Sequence, residues 1–302
     1  MKVAVLGAGI MGSAAARRLA SQGFSVSVWD RTRDKGEALA RQVGGSYLPS
    51  AWRAVEDADA AIAFLADDLA LISTAVEMRR ADGLMFINSS TITPSTSSAL
   101  RDHLGGLGMC YVEAPVIGGA NDILQGKALF LVSGDRECIR VSRKVLEAMG
   151  EVEEVQGSAM ALKLAYNSLL ISTVAALAES LSLAEAYGVP AETFKKVLGK
   201  TAFAQVGGKY IDRMLAGSEV HFRLSLAAKD AEYASRASFD VGLSMQLAAA
   251  VAKLYKQADA HGMGDLDYTK IIEFIRPRAL SALNSSSQGQ QRSIQSQGPG
   301  SG

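Results

Sequence analysis

The chain has 302 residues, 48% hydrophobic and 21% charged, with 31 basic and 31 acidic side chains and a formal net charge of zero. That length suits two domains, and with no Lys/Arg-rich block neither nucleic acid nor a membrane surface is expected as a partner. The two cysteines, Cys110 and Cys138, have no metal-type spacing; they point to a reducing, cytoplasmic setting rather than a disulfide framework or a zinc site.

The chain opens with a strand-like run, KVAVL at 2–6, then Gly7, Gly9 and Gly12 in GAGIMG, then an apolar-stepped helix. No signal peptide is expected, because the first strand begins at residue 2. Strand, glycine loop and helix N-terminus in that order make a dinucleotide site. The first glycine permits the turn, the second lets a pyrophosphate approach the backbone, and the third lets helix and strand pack closely. Unpaired N–H groups and the helix dipole favour the phosphate charge. The next run, SVSVW at 25–29, ends in Asp30, 18 residues past Gly12, followed by Arg31, Thr32 and Arg33. An acidic residue there meets a ribose 2′-hydroxyl, whereas arginines attract a 2′-phosphate. Two arginines flanking a hydroxyl favour NADP, with Asp30 turned away or paired with one of them. NAD is the alternative, with the arginines then a solvated helix start.

Further apolar runs lie at 59–65, 84–88, 109–113, 128–133 and 151–155, separated by amphipathic segments such as 33–42 and 94–104. That alternation predicts βαβ units and a doubly wound, mostly parallel sheet to residue 156. From Ser158 to Tyr187 the chain lacks Gly and Pro and is apolar at helical spacing, until Gly188 and Pro190 stop it. Asn167, Glu179 and Glu185 interrupt it, so it reads as a buried helix rather than a membrane span. Helices are then expected at 191–199, 206–216, 224–238, 242–261 and 267–277. The stretch from 284 is Ser, Gln and Gly rich and reads as a mobile tail. The expected organisation is a Rossmann-type α/β domain at 1–156, an all-α domain at 157–283 introduced by the long helix, and a tail at 284–302.

Four segments carry possible chemistry. In 157–169, Lys163 and Asn167 are four residues apart on one otherwise apolar helix face. A lysine there is either a general acid/base with a pKa lowered by burial or a snorkelling residue at a domain boundary. In 87–94, a buried strand ends in Ser89, Ser90 and Thr91, at the edge where open α/β sheets bind ligands. Thr93 and Pro94 there begin a helix. In 113–122, Gly118 and Gly119 follow a strand and form either a carboxylate-binding backbone loop or an ordinary turn. In 224–234, Lys229 and Asp230 sit mid-helix; alone they read as a surface ion pair.

In order and spacing, these segments resemble the β-hydroxyacid dehydrogenase family over about residues 1–280. The opening loop looks like the family's G-x-G-x-M-G, which places Ile10 and Met11 beside the cofactor. Residues 87–94 look like I-D-x-S-T-x-x-P, residues 114–119 like A-P-V-S-G-G, residues 157–167 like G-x-x-x-x-x-K-x-x-x-N, and residues 226–234 like L-x-x-K-D-x-x-x-A. The resemblance implies Lys163 as acid/base and Asn167 orienting the substrate oxygen. It places Gly118 and Gly119 on the carboxylate, Thr91 near nicotinamide and substrate, and Lys229 closing the site. Leu65 and Ala66 would lie in a cofactor-facing loop, where Ala66-Asp67 replaces the usual Leu-Pro. Ile117 replaces the serine of S-G-G, Asn88 the usual Asp, and Asp30 stands where NADP-using relatives often have Asn.

The implied activity is hydride transfer between a nicotinamide cofactor, NADP favoured and NAD possible, and a small 3-hydroxy acid of the 3-hydroxyisobutyrate or L-serine type. The alternatives are reduction of succinic or tartronate semialdehyde or of imines, and a non-catalytic cofactor-binding scaffold. The resemblance also implies a homodimer or homotetramer, and no metal is expected.

Overall fold

Apolar runs alternating with amphipathic segments wind the first half of the chain into an α/β layer structure. The computed structural model describes residues 1–215 and 219–276; the tail read at 284–302 lies outside the described residues. In chain order the elements are β1 (Lys2–Leu6), α1 (Ile10–Ser21), β2 (Ser25–Trp29), α2 (Arg33–Val43), β3 (Ser46–Tyr47), α3 (Ala51–Val55), β4 (Ala60–Ala63), α4 (Asp68–Val76), β5 (Met85–Asn88), α5 (Pro94–Gly106), β6 (Cys110–Glu113), β7 (Val116–Ile117), α6 (Ala120–Gln125), β8 (Ala128–Gly134), α7 (Arg136–Glu147) and β9 (Gly150–Glu154). Then follow α8 (Ala159–Ala186), α9 (Ala191–Leu198), α10 (Ala204–Leu215), α11 (Leu224–Asp240), α12 (Gln246–Ala258) and α13 (Ile271–Ile275).

The sheet order is β3-β2-β1-β4-β5-β6, all parallel, continued by β8 antiparallel to β6; β7 and β9 flank β8. Side-chain alternation explains why the runs are apolar throughout. Val3 and Val5 enter one core with α1, α2, α6 and α7. Ala4 and Leu6 enter the other with α3, α4 and α5. A strand covered on both faces has no polar side. The order reverses between β1 and β4, and the loops leaving their carboxyl ends bound the crevice where such sheets bind ligands.

The expected strands all form. Two short ones, β3 and β7, were not expected; at two residues each they are too brief to show a period. The helix expected at 242–261 begins later, at Gln246, after a turn at Gly242 (φ +71°). The helix expected at 267–277 is a 3-10 turn, Tyr268–Lys270, running into α13.

Two expectations need correction. Cys110 on β6 and Cys138 on α7 form a disulfide, with Cα atoms 5.5 Å apart. The pairing arises because α7 packs over the sheet beside β6, a proximity that 28 positions of separation do not reveal. The cytoplasmic inference drawn from unpaired thiols loses that support. The long helix is also less buried than expected. Among the described residues α8 alone is long and apolar enough to cross a membrane, and 39% of its most apolar window is buried.

The described residues divide into two units, 1–173 with 219–268 and 174–215 with 269–276, the boundary falling inside α8. In the second unit α9 and α10 meet where Gly207 lies close to Leu198. There Arg276 grips Glu185 through two 2.9 Å hydrogen bonds.

Candidate active site

Every residue of the candidate site lies in the first unit. Gly7 (φ +108°) turns the chain off β1, and a Cβ there would stand 2.4 Å from the Phe64 carbonyl oxygen. A Cβ on Gly12 would stand 1.9 Å from the Gly7 oxygen, so α1 cannot approach its own loop with any side chain there. Gly9, the N-cap of α1, has nothing within 4 Å of its Cβ position and no side-chain cap. Open space over uncapped N–H groups, with no acidic residue in the first turn of α1, fits a dinucleotide pyrophosphate. Ile10 is exposed at the start of α1, and Met11 packs half-buried against the core.

Asp30 neither turns away nor pairs with an arginine. Its Oδ2 accepts the Ala8 N–H at 2.7 Å and its Oδ1 the Thr32 N–H at 2.7 Å. The carboxylate is thus held by the glycine loop and by the β2–α2 turn. Arg33 donates to Glu37 at 2.7 Å on the exposed face of α2. Arg31 is exposed and has no ion pair among the described residues. Thr32, the N-cap of α2, makes no side-chain capping bond. An unpaired guanidinium beside an uncommitted hydroxyl suits a 2′-phosphate.

The loop after β4 carries Leu65, whose N–H donates to Ser90 Oγ at 2.8 Å, and the exposed Ala66. Asp67 caps α4 through the Ala70 N–H (2.8 Å). Asp68 accepts the Thr93 N–H (3.0 Å) and the Thr93 and Thr96 hydroxyls (2.8 and 2.9 Å). This loop is therefore tied to the start of α5. After β5, Asn88 donates to the Tyr111 hydroxyl (3.0 Å) and accepts the Ser90 N–H (3.0 Å), a structural use. Ser89 Oγ is buried without a partner.

Thr91 meets α11 through its backbone: its carbonyl accepts from Lys229 Nζ at 2.6 Å. The same ammonium lies 3.0 Å from Asp230 Oδ1 and 4.9 Å from the Tyr233 ring centre. The approach to Asp230 Oδ1 is a charge contact without hydrogen-bond alignment, which leaves that oxygen without a hydrogen-bond partner. The Tyr233 hydroxyl in turn accepts the Asp68 N–H at 3.2 Å. Lys229 and Asp230 are thus a part-buried assembly rather than a surface ion pair.

Asn167 Nδ2 donates to the buried Asp230 Oδ2 at 2.6 Å. With the amide so oriented, its carbonyl oxygen remains as an acceptor. Lys163, one turn earlier, is 8% exposed, and its ammonium lies 5.5 Å from the Tyr166 ring centre. Burial lowers its pKa from 10.5 to about 8, with Asp230 opposing the fall and Lys229 adding to it. A lysine in that range exchanges protons in both directions near neutrality.

The structure brings Lys163, Asn167, Lys229 and the Thr91 backbone into one linked group through Asp230. It does not show Gly118 and Gly119 in that network. Gly118 (φ +123°) makes the turn after β7, but the Gly119 N–H donates to Asp122 Oδ2 at 2.6 Å. Sequence reasoning did not single out Tyr233 or Asp68; their only signal was position, a tyrosine one turn past Lys229 and an acidic pair after β4.

Residues 2–159 match the family described as the NAD binding domain of 6-phosphogluconate dehydrogenase, and residues 157–275 match the family described as NAD-binding of NADP-dependent 3-hydroxyisobutyrate dehydrogenase. Glyoxylate/succinic semialdehyde reductase 1 of Arabidopsis thaliana is 29% identical over 287 residues, covering 91% of this chain and 99% of the relative. The mitochondrial 3-hydroxyisobutyrate dehydrogenase of Drosophila melanogaster is 24% identical over 298 residues, covering 92% and 90%. A solved structure of Mycobacterium tuberculosis 3-hydroxyisobutyrate dehydrogenase with L-serine superposes with a TM-score of 0.82 at 25% identity, covering 91% and 99%. The chain belongs to the β-hydroxyacid dehydrogenase family of NAD(P)-dependent oxidoreductases.

Proposed function

We propose that the chain interconverts a three- or four-carbon 3-hydroxy acid and its semialdehyde with NADP, using Lys163 as the general acid/base. The observation that carries this is a buried lysine with a pKa near 8, one turn from a carboxamide that Asp230 fixes. The nicotinamide, when bound, supplies or takes up the hydride. In the oxidative direction neutral Lys163 Nζ accepts the proton of the substrate hydroxyl; in the reductive direction the ammonium returns it to the carbonyl oxygen. Asn167 accepts from the same hydroxyl through its free carbonyl oxygen. Lys229, fastened to the Thr91 carbonyl, closes that side of the site. Gly118 and Gly119 are the proposed carboxylate turn, the Gly119 N–H exchanging Asp122 for the substrate on binding.

Semialdehyde reduction as the working direction is supported by the name of the 29% identical plant relative, and the L-serine type of substrate by the solved relative. The matched spans 2–159 and 157–275 support a functional division near residue 156. Assembly as a homodimer or homotetramer accords with the exposed apolar side chains of the helices, such as Leu169 and Phe239.

The test is cofactor turnover over a panel of L-serine, D-threonine, 3-hydroxyisobutyrate, 3-hydroxypropionate, 4-hydroxybutyrate and glycerate, with succinic and tartronate semialdehydes in reverse. NADP and NAD are run in parallel. One acid or its semialdehyde is expected to turn over, and Lys163→Ala to lose about 10²-fold or more in kcat with cofactor binding retained. Cofactor binding without turnover of any member supports the scaffold instead.

A further inference from the structure

At the end of β6 a carboxylate lies almost entirely out of solvent: Glu113 is 1% exposed. An ionised carboxylate offers about four lone-pair positions and no proton. Four donors meet it: Ser97 Oγ at 2.6 Å, Ser133 Oγ at 2.8 Å, Ser158 Oγ at 3.1 Å and the Met160 N–H at 3.0 Å. Arg101 Nη2, 3.5 Å away, supplies a countercharge.

Three of these donors, Ser133, Ser158 and the Met160 N–H, belong to or meet the first turn of α8. A helix starts with N–H groups that have no partner inside it. Here the Ala159 N–H donates to Ser133 Oγ (3.0 Å), the Met160 N–H to Glu113 itself, and the Ala161 N–H to Ser158 Oγ (3.2 Å). Both serine hydroxyls donate onward to Glu113. Three successive helix N–H groups therefore end, directly or through one hydroxyl, on a single carboxylate held by β6. The negative charge also faces the positive end of the α8 dipole. Lys163 begins the next turn and Asn167 the one after, so a slide or rotation of this first turn carries both with it.

We propose that Glu113 is the positioning residue for Lys163: by anchoring the first turn of α8 to the sheet, it sets where along the helix axis, and facing which way, the Lys163 ammonium stands. This rests on the reading of Lys163 as the acid/base. The perturbation of Lys163 itself comes from burial, Asp230 and Lys229, so Glu113 acts through geometry and not through its field.

The experiment uses the full chain with Glu113→Gln. Glutamine removes the charge and puts an NH₂ donor either against Ser97 or against the site shared by Ser133, Ser158 and the Met160 N–H, so the anchoring of the turn weakens. With ¹³C-labelled lysine, the Lys163 Cε resonance, identified by its loss in Lys163→Ala, is expected to shift. With NADPH and succinic semialdehyde, kcat is expected to fall at least tenfold, while the NADPH dissociation constant stays within about twofold and the pH midpoint of kcat is unchanged. An unmoved resonance, an unchanged kcat, or equal losses in kcat and NADPH affinity would each overturn the proposal. If Glu113→Gln does not fold, Ser158→Ala removes one relay and leaves the Ser133 relay and the direct Met160 bond. A smaller kcat loss with intact NADPH binding is then expected, and wild-type kcat overturns the proposal. If wild-type protein turns over no substrate, the functional reading fails while the resonance still decides whether Glu113 places Lys163.

Discussion

Replacing Lys163 with methionine should lower the activity and stabilise the protein, the stabilisation by an amount that depends on pH. The fall of the Lys163 pKa from 10.5 to about 8 corresponds to a penalty of roughly 3 kcal/mol on the charged amine in the folded chain. Below about pH 8 the amine is charged in both the folded and unfolded chains, and the folded chain bears the full penalty. Between about pH 8 and 10.5 the folded chain holds the neutral amine while the unfolded chain stays protonated. The unfolded state then binds more protons, and stability rises with pH. Methionine is unbranched and of similar length, so Lys163→Met keeps most of the packing and removes the charge. The expected gain is up to about 3 kcal/mol at pH 7, shrinking towards zero as the pH approaches 10.5. Urea unfolding of both proteins without cofactor, at pH 7 and again at pH 10, reads it directly. A variant less stable than wild type at pH 7, or a difference that is the same at both pH values, refutes the reasoning. The same variant should lose kcat by about 10²-fold or more if Lys163 is the acid/base, and the lysine would then be kept at the expense of stability.

Two further outcomes follow from the site and the core. Arg31→Ala should weaken NADP by about 10- to 100-fold, the worth of a charge-assisted hydrogen bond, and leave NAD unchanged. Arg33→Ala should do less, because Glu37 already holds that side chain; fluorescence titration with both cofactors decides, and equal losses for NADP and NAD remove the 2′-phosphate role. Reducing the Cys110–Cys138 bond, which closes a sequence separation of 28, should lower stability by about 3 to 4 kcal/mol on the chain-entropy account. Urea midpoints with and without a phosphine reductant measure the change, and alkylation of both cysteines without reductant contradicts the pairing.

What the sequence disclosed was what steric necessity or periodicity imposes. Gly7 and Gly12 are legible because no other residue fits: a Cβ at Gly12 would overlap the Gly7 oxygen. Lys163 is legible because a cation on an apolar helix face needs a reason. The hidden features are those in which side chains from distant elements converge. Glu113 looks like the polar end of a strand, and its four donors come from α5, β8, the turn before α8 and α8 itself. The interactions of Asp30 were open because a carboxylate in a turn accepts from either ligand or backbone, and spacing fixes only its position. The cysteines, on a strand and on a helix laid over it, have no periodic relation at all. Tyr233 escaped notice because a tyrosine at helical spacing is ordinarily core. What distinguishes it is its hydroxyl meeting the Asp68 N–H across 165 positions.

The double attachment of Asp30 bears on any attempt to re-engineer cofactor choice. An acidic residue at the end of the second strand meets the ribose 2′-hydroxyl, and exchanging it to change the dinucleotide assumes that it faces only the ligand. Here its carboxylate joins the Ala8 and Thr32 amides, so the glycine loop and the β2–α2 turn are fastened together. A neutral or shortened side chain at position 30 would loosen both at once and weaken binding of either dinucleotide. Selectivity is better altered at Arg31, which has no ion pair among the described residues and can be changed without unfastening the loop.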